Sequence, residues 1–345
     1  MRRAGIYLVF GLALLCVPLL GLAASEGQWE SRAPLSSNRT EVAVAELNGK
    51  IYVMGGYKYY GIVTSRAVDV YDPQTDRWEE KASLPGGRQH PAAAVVNGKL
   101  YFIGGFTPIW NWHTLTKWED NPAKEVWEYD PGQNRWRERA PMPTARGALA
   151  VGVIDGKIYA VGGKKDHTEH GESKQKGKME ILNTLEVYDP VTDTWQTLPP
   201  MPTPRDHLTA AVLNGRLYVI GGRQGGIGSS MTVNEMYDPK TQRWITKAPM
   251  PSKRSGIAAA VFGRRIYIFG GEGKKETEYI TFNATESYNP DTDRWMTHAP
   301  MANARHGLGA ALFEGRIYVI AGGPVSASAR GGNANEAFTP PSERP

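Results

Sequence analysis

The chain has 345 residues, room for two ordinary domains or one large repeat fold, and its 41% hydrophobic and 22% charged residues exclude a disordered protein. The net charge of +5 falls to about +3 once Arg2 and Arg3 are set aside, too mild and too evenly spread to argue for a nucleic-acid partner. The opening "MRRAGIYLVFGLALLCVPLLGLAASEG" has a basic start, an apolar run and the small residues Ala23 and Ala24, and predicts an export signal over residues 1–24. An uncleaved anchor is the rival, because the apolar stretch 4–24 is nearly long enough to span a bilayer. Either places the rest of the chain outside the cytoplasm, periplasmic or secreted. The single cysteine, Cys16, lies in this segment, so residues 25–345 have no disulfide, no thiolate metal site and no cysteine nucleophile.

From Trp29 onward one ruler repeats. Trp29, Trp78, Trp136, Trp195, Trp244 and Trp295 are each followed 26 residues later by the first member of a small doublet: Gly55, Gly104, Gly162, Gly221, Gly270 and Ala321. Within each stretch an arginine (Arg39, Arg88, Arg146, Arg205, Arg254, Arg305) stands 13 positions before a tyrosine (Tyr52, Tyr101, Tyr159, Tyr218, Tyr267, Tyr318). Only the spacing after the doublet varies, which marks a surface loop on a rigid scaffold. The fixed part, such as "EVAVAELNGKIYVMGG" (41–56), reads as two strands joined by a tight hairpin at Asn48-Gly49, Asn97-Gly98, Asp155-Gly156 and Asn214-Gly215, with weaker versions at Phe262-Gly263 and Glu314-Gly315. The first strand is rich in small residues, as in "PAAAVV" (91–96), which suits strands converging on an axis. "AVDVYDPQTDRWEE" (67–80) and its relatives supply a third and a fourth strand across an Asp-Pro or Asn-Pro turn. Each repeat is therefore a four-stranded antiparallel meander of ~50 residues, the size of a propeller blade. The last repeat reaches Phe338 without its own tryptophan, so "QWESRAPL" (28–35) is expected to supply its outermost strand and close the ring.

The Arg, Tyr, Gly-Gly, Tyr-Asp-Pro and Trp landmarks resemble kelch repeats, in six copies over residues 28–341, with Ala321 in place of a glycine and Phe338 in place of a tyrosine. The resemblance implies an all-β, six-bladed kelch-type β-propeller over residues 25–345, its last blade closed by the N-terminal strand. It also implies that the variable segments and the connections between blades share one face, together with the six arginines.

Candidate ligand-binding residues follow from that face. Arg39, Arg88, Arg146, Arg205, Arg254 and Arg305 either form a cationic ring for an acidic glycan or peptide, or are architectural, pairing with the acids two before the third-strand aromatic (Asp69, Glu186, Glu235, Glu286, Glu336). Glu41, His90, Asp206, His207 and His306 break the repeat beside these arginines and suit either acid–base work or a polar channel mouth. Trp110, Trp112, Trp118 and Trp127 cluster in one variable segment, where indoles stack on sugars, anchor a protein partner, or pack among themselves. His167, Glu169, His170 and Glu172 match no strong metal-ligand pattern, so no metal and no cofactor is expected. The expected function is an exported recognition protein, monomeric, for a protein or glycan partner, with no membrane association beyond an N-terminal anchor. The alternative is a carbohydrate-active enzyme resembling the exported sialic-acid mutarotases and epimerases. A copper oxidase of similar fold is disfavoured by the missing cysteine.

Overall fold

The computed structural model describes residues 26–58, 63–110, 118–166 and 179–342. The export segment, Trp112 and the His167 to Glu172 cluster lie outside the described residues.

Six four-stranded antiparallel sheets follow one another around an axis. Blade one is built from Ala43–Leu47, Lys50–Met54, Val68–Asp72 and Arg77–Glu80, innermost strand first, and blades two to five repeat it. Blade six takes Gly309–Phe313, Arg316–Ile320 and Asn335–Thr339 from the end of the chain, and its outermost strand is Gln28–Ser31, with Trp29 opposite Phe338. The two ends of the polypeptide thus share one sheet, which removes the open edges an arc would present.

The ruler has a physical cause in each blade. Every repeated indole donates Nε1–H to a carbonyl of the chain entering from the neighbouring blade: Trp78 to Ala33 (2.9 Å), Trp136 to Ala82 (2.8 Å), Trp195 to Ala140 (2.8 Å), Trp244 to Pro199 (3.0 Å), Trp295 to Ala248 (2.8 Å) and Trp29 to Ala299 (2.8 Å). Each also packs against the third-strand aromatic of its own blade, from Tyr71–Trp78 at 5.0 Å to Phe338–Trp29 at 4.9 Å. The doublets close the opposite side. Gly56, Gly105, Gly163, Gly222, Gly271 and Gly322 each donate N–H to the carbonyl of the arginine in the next blade round, ending with Gly322 to Arg39 (2.9 Å). At Gly55, with φ +65°, a Cβ would stand 2.7 Å from the Arg88 carbonyl oxygen, so this approach requires the missing side chain.

Hairpin turns fall where the sequence predicts, with positive φ at Asn48, Asn97, Asp155, Asn214 and Glu314 and at the glycine after each. Blade five differs. Phe262 is the last strand residue, paired with Arg265, and the turn is Gly263-Arg264, with positive φ at Gly263 alone; glycine supplies the first central position, as in a Gly-first hairpin. Six apolar clusters fill the six interfaces between neighbouring blades, the one closing the ring joining Ala311, Tyr318 and Ile320 to Ile51, Val53 and Tyr71. The alanine-rich inner strands leave an axial cavity of about 220 Å³ between Val44, Ala93, Val151, Ala210, Ala259 and Ala310. Among the described residues no helix is long and apolar enough to cross a membrane.

Candidate functional site

Strand direction alternates four times per blade, so the variable segments and the inter-blade connections emerge on one face, as expected. The repeated arginines lie just beneath that face, inside the blades. Arg39, Arg146, Arg205, Arg254 and Arg305 are between 0% and 2% exposed. Arg39 pairs with Asp69, Arg146 with Glu186 (2.5 Å), Arg205 with Glu235 (2.6 Å), Arg254 with Glu286 (2.5 Å) and Arg305 with Glu336. Their Nη groups also donate to backbone carbonyls, for example Arg146 to Ala160 (3.1 Å) and Arg205 to Val219 (2.9 Å), while each Nε is buried without a partner among the described residues. The cationic ring is therefore corrected to its architectural alternative: a buried guanidinium neutralised by its own blade offers no charge to a ligand. Blade two has Trp127 where the others have the acid, and Arg88 instead lies over its ring at 4.8 Å and pairs with Glu125 at 3.2 Å. Trp127 itself is buried, stacked on Phe102, and so belongs to the core rather than to a ligand surface. Trp110 and Trp118 are opposite one another in the register of the hairpin formed by Phe106–Trp110 and Trp118–Pro122 in the blade-two variable segment.

The repeat-breaking residues do converge. Two positions after each arginine the backbone turns into the axis with positive φ: Glu41 (57°), His90 (53°), Ala148 (55°), His207 (50°), Gly256 (62°) and Gly307 (61°). Their amides form a closed circle around the mouth, each N–H donating to the carbonyl of the same position in the preceding blade, from Glu41 to Gly307 (2.7 Å) through to Gly307 to Gly256 (2.9 Å). The circle demands a left-handed conformation in every blade. Glycine supplies it freely, whereas a residue with a Cβ adopts it at roughly 1–2 kcal/mol. Four blades nevertheless place residues with a Cβ there, the polar Glu41, His90 and His207 and the apolar Ala148.

A second varied column lies beside the first. Two residues past each doublet's first member stand Tyr57, Phe106, Lys164, Arg223, Glu272 and Gly323, each bridged through its backbone to the residue one after an arginine: Thr40, Gln89, Gly147, Asp206, Ser255 and His306. This brings Arg223 and Glu272 to the mouth, residues that reasoning on the sequence missed. The signal was available, since this column is as fixed in register as the first and as varied in residue type.

The resulting network is tight. His207 Nδ1 is held by the Asp206 carboxylate, and its Nε2 lies 2.9 Å from His90 Nε2 and 2.8 Å from Arg223 Nη2. His90 Nε2 is 3.2 Å from Glu41 Oε2, and His306 Nε2 is 3.6 Å from Glu41 Oε1. Arg223 donates Nη1–H to Glu272 at 2.6 Å. The buried Asp206 accepts a hydrogen bond from His207 Nδ1–H, which leaves His207 Nε2 as a pure acceptor. Burial holds His90 well below the ordinary histidine range, reinforced by His207 and Lys164, and holds His207 there too, reinforced by Arg223 and Lys164. Burial also raises Glu41 and Asp206 above the usual carboxylate range. For Glu272 burial opposes ionisation, but His306 and Arg223 outweigh it and the carboxyl falls below that range. Over these groups lies a cavity of about 210 Å³ lined by Glu41, Tyr57, His90, His207, Glu272 and His306 among others. Donors and acceptors of both charges face it. Glu41, His90 and His207 also present ligand atoms all within 4.8 Å of one another, a group able to hold a cation.

A closed ring of six sheets with variable loops and a polar axial mouth on one face defines a six-bladed β-propeller. Residues 38–85 and 87–143 match the Kelch motif, and residues 143–323, more than half of the chain, match the KLHDC2/KLHL20/DRC7 Kelch-repeats domain. The chain belongs to the kelch-repeat family. It is similar to Kelch-like protein terF of Aspergillus terreus, 31% identical over 201 residues, 57% of this chain and 43% of that protein. It is similar also to Kelch-like protein 15 of Mus musculus, 30% identical over 234 residues, 59% of this chain and 34% of that protein. The chain spans less than half the length of these curated relatives. The solved structure titled "Structure of YjhT" superposes with a TM-score of 0.71 over 88% of this chain and 95% of that one, at 17% identity, a likeness of fold.

Proposed function

We propose that the protein is an exported kelch propeller that binds a protein or glycan ligand on its loop-bearing face, with a polar group of that ligand seated in the axial mouth. The observation that carries this is the convergence of Glu41, His90 and His207 on the left-handed turn at the mouth, a position that blades five and six fill with glycine and blade three with Ala148. Three large polar side chains held in a strained turn that glycine or alanine fills in the other blades mark these positions as candidates for function. The arginine pairs remove the reason for an acidic ligand. Mixed donors and acceptors around about 210 Å³ suit a neutral, hydroxyl-bearing group such as a sugar. A glycan array and a peptide array probed with the exported form test this. Retained hits that vanish in the His90→Gly/His207→Gly variant support it, and hits that persist unchanged in that variant refute it.

One observation favours a second function, a carbohydrate-active enzyme at the same mouth. Asp206, His207 and His90 form a hydrogen-bonded line ending 3.2 Å from Glu41, and burial opposes charge on each of these four groups, as acid–base chemistry near neutrality requires. Turnover of an array-positive sugar, lost in His207→Gly with binding retained, would select this function over recognition alone.

A further inference from the structure

We propose that the mouth is a zinc site, with His90 Nε2, His207 Nε2 and a Glu41 carboxylate oxygen as protein ligands and a fourth position open to the cavity above. The donor set is one of the two-histidine, one-carboxylate kind that zinc accepts in open tetrahedral sites. The two Nε2 atoms are 2.9 Å apart and Glu41 Oε2 is 3.2 Å from His90 Nε2. Zinc–nitrogen bonds of about 2.0–2.1 Å at a tetrahedral angle separate two nitrogens by about 3.3 Å, so the imidazoles need to part by only a few tenths of an ångström.

The surrounding groups fit that chemistry better than they fit a pair of hydrogen-bonded histidines. Asp206 accepts from His207 Nδ1, the carboxylate–histidine arrangement that fixes the tautomer with its Nε2 lone pair facing the metal. His306 stands 3.6 Å from the other oxygen of Glu41 and 3.9 Å from Glu272, placed to orient the carboxylate. His90 Nδ1 is buried with no hydrogen-bond partner among the described residues, so it takes the ring proton without breaking an existing bond when Nε2 turns to a cation. Three carboxyl groups, Glu41, Asp206 and Glu272, and two cations, Arg223 and Lys164, surround the site. Of the two cations, Arg223 is the one in hydrogen-bond contact with a ligand atom. Its Nη2 donates to His207 Nε2 at 2.8 Å, and zinc takes that lone pair while the guanidinium stays on Glu272 through Nη1 at 2.6 Å.

The test titrates zinc chloride alone into untagged protein against a chromogenic chelator. No ligand of the loop face enters it, so its outcome is separate from that of the recognition function. Wild type is expected to bind one zinc per chain, and cobalt to give the absorption of a tetrahedral site. His207→Ala and Glu41→Gln should abolish or severely weaken binding, and Asp206→Asn should weaken it about 10–100-fold as loss of a metal-orienting carboxylate does. Arg223→Met should tighten it, a change that a purely destabilised site would not give, and His167→Ala/His170→Ala should leave it unchanged. Melting curves check each variant's fold, and should His207→Ala fail to fold, Asp206→Asn and Arg223→Met carry the test. Absence of stoichiometric zinc in wild type, binding that survives His90→Ala/His207→Ala, or loss confined to His167→Ala/His170→Ala would overturn the proposal.

Discussion

Two polar residues in the interior of the ring, one shared by the repeat and one breaking it, should respond unequally to truncation. Arg146 is 0% exposed and neutralises Glu186, itself 1% exposed, at 2.5 Å. Arg146→Ala strands that carboxylate in the blade and should cost about 3–5 kcal/mol, the range for an orphaned buried charge. Replacing both partners with apolar side chains, Arg146→Met/Glu186→Leu, should recover most of it. His90→Gly removes the Nε2 contacts to Glu41 and His207, about 0.5–1.5 kcal/mol each, and edge contacts to Tyr57 and Phe106, about 0.5–1.5 kcal/mol each. Against this, glycine releases roughly 1–2 kcal/mol of left-handed strain at φ 53° and frees a buried Nδ1 with no partner, about 1–3 kcal/mol. The net loss should be about 1 kcal/mol, a third or less of the Arg146→Ala effect. Urea unfolding followed by tryptophan fluorescence measures both. Equal losses for Arg146→Ala and His90→Gly would refute the division between architectural and functional polar residues.

Deleting residues 26–31 exposes the Asn335–Thr339 edge of blade six and removes Trp29 from Phe338 and Phe269. Light scattering should then show self-association, and a variant that stays monomeric with unchanged stability would argue against closure by this strand. His298 is 4% exposed against Ser287, and burial with the nearby Arg265 lowers it to about 4. Because the folded value lies below the unfolded one, the stability it contributes is complete above pH 6.5 and is lost as pH falls towards 4, by no more than about 3 kcal/mol. His298→Gln should lose less over that window, and parallel pH curves for the two proteins would contradict the assignment.

Much of the fold was legible because the blades meet shared needs with shared residues: in all six an indole tying the blade to its neighbour and a glycine amide on the next arginine carbonyl, and in five a carboxylate–guanidinium clamp, blade two placing Trp127 there. A need met six times leaves six copies of the same residue, which is why Trp29 betrayed the closing strand. The hairpin of blade five lies one residue further on than the sequence predicts because Gly263 occupies the position that asparagine, aspartate or, in blade six, Glu314 holds elsewhere, so matching on residue type slid the frame. The arginines were ambiguous in sequence, since a guanidinium pairs as readily with a ligand as with Glu186; only burial decides. Glu41, His90 and His207 stood out as departures from the repeat. Arg223 and Glu272 did not, because their segment varies in length and conceals that its first residue is fixed in register by the bridge to Asp206 or Ser255.

The most direct test of the account is calorimetric affinity of the strongest array ligand for wild type and for His90→Gly, measured beside the stability of each. The account predicts a loss of affinity of about 100-fold or more, about 3 kcal/mol, with stability changed by only about 1 kcal/mol. Affinity within about threefold of wild type would contradict it and move the site off the axis.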